Sequence, residues 1–300
     1  MTRVLDLPVR VHVPATSANL GPGFDALGLA LDLGDDVVVT PGGRGLRIEV
    51  AGEGANDVPR DATHLVARVL LETLRRLGVD RPPGLHLACT NRIPHARGLG
   101  SSAAAIVAGL LAGRGLVADG AARLSDDDVL DIATGIEGHP DNVAACLLGG
   151  LTIAWDDSGR TGVVRLDPVP GLAAVAFVPP GGVSTEAVRR LLPSHVPHAD
   201  AARSAGRAAL LVLALTSRPD LLLAGTDDRL HQHYRAPAMP ASAELVTRLR
   251  AAGVAAVISG AGPTVLALVP EEHGPRVSAL AAAGFDVLRL APSRGGARVA

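Results

Sequence analysis

Short stretches of strand period alternate with longer ones of helix period along this chain, and their order predicts most of its elements. Residues 9–13 alternate apolar and polar positions as a strand that Pro14 closes. Residues 36–40 and 46–51 predict a strand pair joined by the PGGRG turn. Residues 61–77 place Leu65, Val69, Leu70, Leu74 and Leu77 on one helical face and stop at Gly78. Leu85, Leu87 and Cys89 alternate with His86 and Ala88 as a strand leading into the loop IPHARGLG. A helix follows over residues 101–112, another over 125–138 with an acidic SDDD start, and a short one over 143–148.

Residues 151–155 predict a strand, and the turn DDSGRTG marks a boundary between residues 1–156 and 157–300. Beyond it, strands are expected at 163–166, 173–178, 254–258, 265–269 and 285–290. Helices are expected at 199–216, 220–224, 242–252 and 271–283, and the arginine-glycine tail reads as disordered. Strand and helix alternate here without the regular period of a parallel doubly wound sheet, which favours an α+β fold.

Composition narrows the chemistry. With 300 residues and 48% hydrophobic content the chain can bury a substantial core, and a net charge of −2 gives no support for a nucleic-acid or membrane partner. No apolar run approaches the roughly 20 residues of a membrane span, and the N-terminus lacks a signal-peptide pattern. Cys89 and Cys146 are too few and too far apart for a disulfide framework or zinc site, so a reduced, cytoplasmic protein is expected. Lysine is absent: all 28 basic side chains are arginine. That excludes a P-loop lysine, the ATP-binding lysine of protein kinases and a Schiff-base lysine.

Four clusters carry candidate chemistry. Gly98 and Gly100 flank Leu99 just before a helix that starts at Ser101 and Ser102, either a plain strand-to-helix turn or an anion site built on free helix N–H groups. Thr16, Ser17, Asn19 and Asp25 crowd a Gly-Pro-Gly loop. EGHPDN packs Glu137, His139, Asp141 and Asn142 around Pro140, either as a helix end and start or as carboxylates completing a magnesium site. SGAGPT is a hairpin turn or a second place where backbone approaches a phosphate or the first glycine loop; Arg235, in a proline-bounded segment, reads as a surface arginine or a ligand group.

Three segments together resemble the GHMP kinases, the family of galactokinase, homoserine kinase, mevalonate kinase and phosphomevalonate kinase. They are VPATSANLGPGFDALGLAL at residues 13–31, IPHARGLGSSAAA at 93–105 and ISGAGPTVLAL at 258–268. The first of them, with EGHPDN, STEAVR and HQHYR, is most similar to the homoserine-phosphorylating members. The resemblance implies an N-terminal ATP-binding domain over 1–156 and a ferredoxin-like C-terminal domain over 157–300, with the site between them.

It further implies that Pro94, His95, Ala96, Arg97, Gly98, Leu99, Gly100, Ser101, Ser102, Ala103 and Ala104 bind ATP, main-chain N–H groups replacing the missing lysine. Ser102 and Glu137 would hold Mg2+, and Thr185 would lie near the transferred phosphoryl group. Asn19, Asp25, Asn142, Arg189 and Arg235 would grip L-homoserine. Mevalonate kinase-like relatives use an aspartate base; alignment on the following glycine pair puts Asn142 there with Asp141 beside it. Catalysis by in-line positioning is therefore expected, with Asp141 as a helper. Arg97 departs from the family pattern and either touches nucleotide or faces solvent; Thr63 and His64 depart from it near the adenine. The implied protein is a cytoplasmic homodimer that phosphorylates L-homoserine in threonine biosynthesis. The alternatives are a kinase of another small alcohol, mevalonate- or shikimate-like, and a catalytically silent sensor.

Overall fold

In the computed structural model, which describes residues 2–280 and 283–300, the first strand does not stop at Pro14. β1 (Val9–Ala18) continues through the buried ATSA stretch, because its register against β2 (Leu27–Pro41) shifts between Pro14 and Ala15. Such a bulge is where a residue without an N–H can sit inside a sheet. β3 (Leu46–Gly52) does not form the expected hairpin with β2. It pairs in parallel with β4 (Leu85–Asn91), which lies between β2 and β3 and runs antiparallel to β2. Leu85, Leu87 and Cys89 of β4 are buried, so the more apolar strand takes the interior place and β3, with exposed Arg47 and Glu49, takes the edge.

β5 (Leu151–Asp157) pairs with the start of β2. β6 (Arg160–Leu166), whose sequence places it with the second half of the chain, instead pairs with β5. A two-residue turn with φ of 56° at Ser158 and 86° at Gly159 ties them together. β7 (Leu172–Val178), β8 (Ala255–Ile258), β9 (Val265–Pro270) and β10 (Asp286–Leu290) form a second, antiparallel sheet in the order β10-β7-β9-β8. With helices between β7 and β8 and between β9 and β10, this is a ferredoxin-like arrangement. The tail is ordered rather than loose. β11 (Arg298–Val299) pairs with β1, and Ala297 N–H donates to the Cys146 carbonyl, so the last residues return to the first sheet.

On the first sheet, α1 (Leu65–Arg76) packs beside α2 (Ser101–Gly115). A Cβ on Gly109 would lie 2.8 Å from the Val66 carbonyl oxygen and one on Gly113 2.7 Å from Thr73 Cβ, so two glycines set how closely these helices approach. α1 starts at Leu65 rather than residue 61 because the Asp61 carboxylate accepts from both Thr63 N–H (2.8 Å) and its hydroxyl (2.5 Å), closing a turn. After α3 (Gly120–Arg123), α4 (Asp126–Glu137) begins at a reciprocal Ser125–Asp128 capping box. α5 (Pro140–Leu148) starts three residues before its apolar run, since proline suits the first helical position.

The second half adds α6 (Thr185–Arg189), α7 (His198–Thr216), α8 (Leu222–Gly225), α9 (Gln232–Arg235), α10 (Pro240–Ala251) and α11 (Gly274–Ser278). The helix expected over 271–283 is shorter, a turn at Glu271–His273 followed by α11, and residues 281 and 282 of that expectation lie outside the described residues. β7 is apolar throughout because both its faces are buried. Ala174, Ala176 and Val178 join the main core, whereas Val175 and Phe177 pack with Leu249 of α10 in a second one.

Candidate active site

Three glycine-rich segments distant in sequence meet at one cleft. Gly98 has φ +79°, and a Cβ there would lie 2.3 Å from the Ser259 carbonyl oxygen. Ser259 Oγ donates to the Gly98 carbonyl at 2.6 Å and lies 2.8 Å from Ser17 Oγ. Thr264 N–H donates to the Arg97 carbonyl, and Thr16 N–H to that of Leu99, each at 3.1 Å. SGAGPT therefore seats against the first glycine loop, the second of the two readings its sequence allows.

The contrast between two helix starts locates the anion site. The N-terminus of α4 is closed by its capping box, but α2 begins at Gly100, which has φ +74° and no side chain to cap with. The first N–H groups of α2, at Ser101, Ser102 and Ala103, are those a helix leaves without intrahelical partners, and negative charge is favoured there. Beside them Ser102 Oγ donates to Glu137 Oε2 at 2.7 Å, joining the start of α2 to the end of α4. A hydroxyl and one carboxylate, with phosphate oxygens and water, suit a magnesium ion, which takes few protein ligands. Among the described residues no group of three or more His, Cys, Asp or Glu could hold a metal on its own.

From this point a cleft of about 280 Å³ runs past Asn142 and Asn19 to Arg189 and Arg235. Gly138, with φ +90°, ends α4, and Pro140 opens α5 two residues on. A Cβ on Gly28 of β2 would lie 2.1 Å from the Asp141 carbonyl oxygen, so only glycine lets the start of α5 sit this close to β2. Asp141 is buried and its Oδ1 accepts from Asn142 N–H at 2.7 Å, with His139 Nδ1 at 2.6 Å. Asn142 Oδ1 accepts from Thr16 Oγ1 at 2.8 Å. Asn19, at φ +65°, uses its amide within the protein: Oδ1 accepts from Asp25 N–H and Nδ2 donates to the Gly260 carbonyl, both at 2.9 Å.

The two arginines differ in kind. Arg189 on α6 pairs with both oxygens of Asp25, at 2.7 and 2.8 Å, and this bond raises its already high pKa. Arg235, for which the sequence left a surface position and a ligand role open, is 2% exposed; its Nε has no hydrogen-bond partner, and among the described residues no carboxylate forms an ion pair with it. Burial, and then the charge of Arg189, push its pKa down. A guanidinium held this way keeps its charge at any ordinary pH, which makes Arg235 a buried positive centre of the cleft without a directly paired carboxylate. Thr185 stands at the first position of α6 and lines the same cleft.

Arg97 is half-buried and bound to main-chain carbonyls, so it does not simply face solvent. Its guanidinium donates to the carbonyls of Pro179 (3.0 Å), Pro180 and His95 (2.9 Å), lacing the glycine loop to the end of β7. Leu99 and Ala103 are fully buried, so they offer a ligand only their main chain. Pro94 is half-buried and does not line the cleft, whereas Ala96, Gly98, Gly100, Ser101 and Ser102 do. His95 and Ala104 line a second cavity of about 320 Å³, with Thr63 and His64, that shares Ser101 and Ser102 with the first.

Thr16, Ser259 and His139 escaped assignment from sequence. His139 had a readable signal, since it stands two residues from Asp141. Burial opposes its protonation, but the bond to Asp141 and the charges of Asp141, Glu137 and Asp25 prevail, so its pKa is raised. The pair accordingly contributes stability below the unfolded histidine pKa of about 6.5 and loses it as pH rises through the raised value. The melting temperature of His139→Gln should fall further below that of the parent chain at about pH 6 than at about pH 9. Equal differences at the two pH values would contradict this pairing.

Family models match on both sides of the cleft: the GHMP kinases N terminal domain over residues 64–150 and the GHMP kinases C terminal domain over residues 210–284. Homoserine kinases of Streptomyces avermitilis and Streptomyces coelicolor are each 58% identical over 97% of this chain, covering 95% and 94% of those proteins. The chain belongs to the homoserine kinase group of the GHMP kinases. Its fold agrees with the crystal structure of homoserine kinase from Cytophaga hutchinsonii, with a TM-score of 0.86 and 28% identity over 100% of this chain and 99% of that one. Membership in the group leaves the tasks of individual side chains to the geometry given above.

Proposed function

We infer that the protein transfers the γ-phosphoryl group of ATP to the side-chain hydroxyl of L-homoserine, giving O-phospho-L-homoserine for threonine biosynthesis. The observation that carries this reading is the pairing of two anion-seeking features along one cleft. One end is an uncapped helix start suited to phosphates. The other is a buried guanidinium, with no ion pair to a carboxylate among the described residues, suited to a substrate carboxylate.

In this reading the stretch from Gly98 to Ala104 wraps the phosphates, with main-chain N–H groups in place of a lysine, and the flanking residues from Pro94 to Arg97 complete the ATP-binding loop. Ser102 and Glu137 hold Mg2+, which when bound neutralises phosphate charge. Arg235 takes the carboxylate with Arg189; Asp25 accepts from the ammonium; Asn142, oriented by Thr16, and Asn19 line the path of the hydroxyl; Thr185 faces the transferred group. Phosphoryl transfer through a loose transition state requires alignment and charge neutralisation more than a strong base. Asp141, engaged by His139 and the Asn142 N–H, is a helper and not the base on which turnover depends.

The direct test is ADP release with magnesium and ATP, with and without L-homoserine; release that does not depend on homoserine would remove the reading. Asp141→Asn should keep turnover within about a hundredfold of the parent, the low end of what a positioned acid or base contributes. A loss of several orders of magnitude with substrate binding intact would make Asp141 the base. The reading also takes the protein as a cytoplasmic homodimer. Two free, buried cysteines suit a reducing compartment, and light scattering of the purified chain reports the assembly.

A further inference from the structure

His231 lies outside every assignment made so far, yet it is fully buried directly behind Arg235. It precedes the single turn α9, at whose far end Arg235 stands four residues on. Its Nε2 is 2.8 Å from the Gly21 carbonyl oxygen, which can only accept, so Nε2 carries the proton. Burial, the largest influence, holds the ring below the ordinary histidine pKa and hence neutral. Nδ1 is then a lone pair, and it faces Arg235 NH1 at 3.4 Å.

Among the described residues, the other groups in direct contact with the Arg235 guanidinium carry no charge. The Gly260 carbonyl is 3.4 Å from NH1, and the Phe24 ring centroid lies 5.2 Å from Arg235 Cζ and 5.4 Å from Arg189 Cζ. Phe24 in turn stacks 5.0 Å from the His231 ring. Three carboxylates act on Arg235 from further off, each engaged elsewhere: Asp25 pairs with Arg189, Asp141 is held by His139 and the Asn142 N–H, and Asp228 accepts from the N–H groups of Leu230, His231 and Gln232 and lies 3.7 Å from His231 Nε2.

We infer that His231 is a positioning residue for substrate recognition: it orients Arg235 through a neutral acceptor nitrogen and so reserves the full guanidinium charge for the substrate carboxylate. A carboxylate at this position would hold Arg235 more firmly and leave it already paired. This inference rests on the reading of Arg235 as a carboxylate ligand, and the experiment separates the two.

Four variants are compared with the parent chain on L-homoserine and on aminopropanol, which is homoserine without its carboxyl group. The readouts are KM, kcat and the ratio of kcat/KM between the two alcohols. Arg235→Gln tests the underlying reading, and a homoserine preference equal to that of the parent would refute it. His231→Asn keeps an acceptor toward Arg235 and should stay within about threefold in that preference. His231→Asp adds the cancelling charge and should lower the preference by about tenfold or more, through KM for homoserine, with KM for aminopropanol unchanged.

His231→Gln keeps a donor for Gly21 but withdraws the acceptor from Arg235. It should raise KM for homoserine by about tenfold with little change in kcat, and it tests the inference without a new buried charge. If Arg235→Gln lowers the preference while His231→Asp and His231→Gln leave it at the His231→Asn value, the inference is overturned. Equal losses on both alcohols would also overturn it, since they would mark His231 as ordinary packing.

Discussion

Glu137→Gln is expected to lower kcat/KM for ATP by roughly 10² to 10³, the range seen when one preorganised charge-stabilising group is removed from a reacting centre. Glu137 ends α4 half-buried, and its one recorded side-chain bond is the 2.7 Å contact from Ser102 Oγ. An amide of the same shape still accepts that hydroxyl, so the α2–α4 junction and the fold should survive. What is lost is the only carboxylate charge proposed for the ion. Three readouts should therefore move in different ways: the magnesium concentration giving half-maximal rate rises, KM for L-homoserine stays close to that of the parent, and the melting temperature changes little. A full rate at ordinary magnesium would mean that the ion is held elsewhere.

Gly98→Ala should produce a large effect from a single methyl group. An alanine at φ +79° pays roughly 1–2 kcal/mol for the left-handed backbone. Its Cβ would also stand 2.3 Å from the Ser259 carbonyl oxygen, 2.9 Å from that of Gly262 and 3.0 Å from the Gly262 nitrogen. All three are main-chain atoms and none can swing aside. The loop and the SGAGPT turn must part, breaking the bond from Ser259 Oγ to the Gly98 carbonyl. We expect a lower melting temperature together with a rise in KM for ATP of at least about tenfold, since the misplaced N–H groups are those proposed to meet the phosphates.

Gly135→Ala is the control. This glycine lies inside α4, its φ is not positive, and an added Cβ meets nothing within 4 Å. Alanine there should stabilise the chain by about 0.8–1.0 kcal/mol and leave KM for ATP unchanged. A nucleotide KM indifferent to Gly98→Ala would detach the loop from phosphate binding.

Local readings succeeded where one stretch contains the whole cause of its conformation. α4 is an example: its Ser125 cap, acidic first turn and terminal glycine are contiguous, and the helix runs between them as expected. The start of α2 at Ser101 and the alternation of β4 were equally legible. Pairing was not. β3 was expected to close a hairpin with its neighbour in sequence, but the winning partner was a strand more than thirty residues away that buries Leu85, Leu87 and Cys89. β6 and the tail were misplaced for the same reason, because their partners are chosen by the sheet and not by the local pattern.

The candidate site divides likewise. Absence of lysine, the three glycine segments and the kinds of polar residue beside them belong to the sequence, and they alone indicated a main-chain phosphate site and the family. That Arg189 arrives already paired with Asp25 while Arg235 arrives buried with its Nε unbonded could not be read from composition or spacing, because charge compensation depends on which side chains the fold brings within hydrogen-bond reach. The same holds for Arg97, drawn away to the carbonyls of Pro179 and Pro180. Residue types and their local order thus determined which chemistry was available; tertiary structure decided which groups remain free to perform it, since most buried polar groups are bonded within the fold and only the exceptions are left for a ligand.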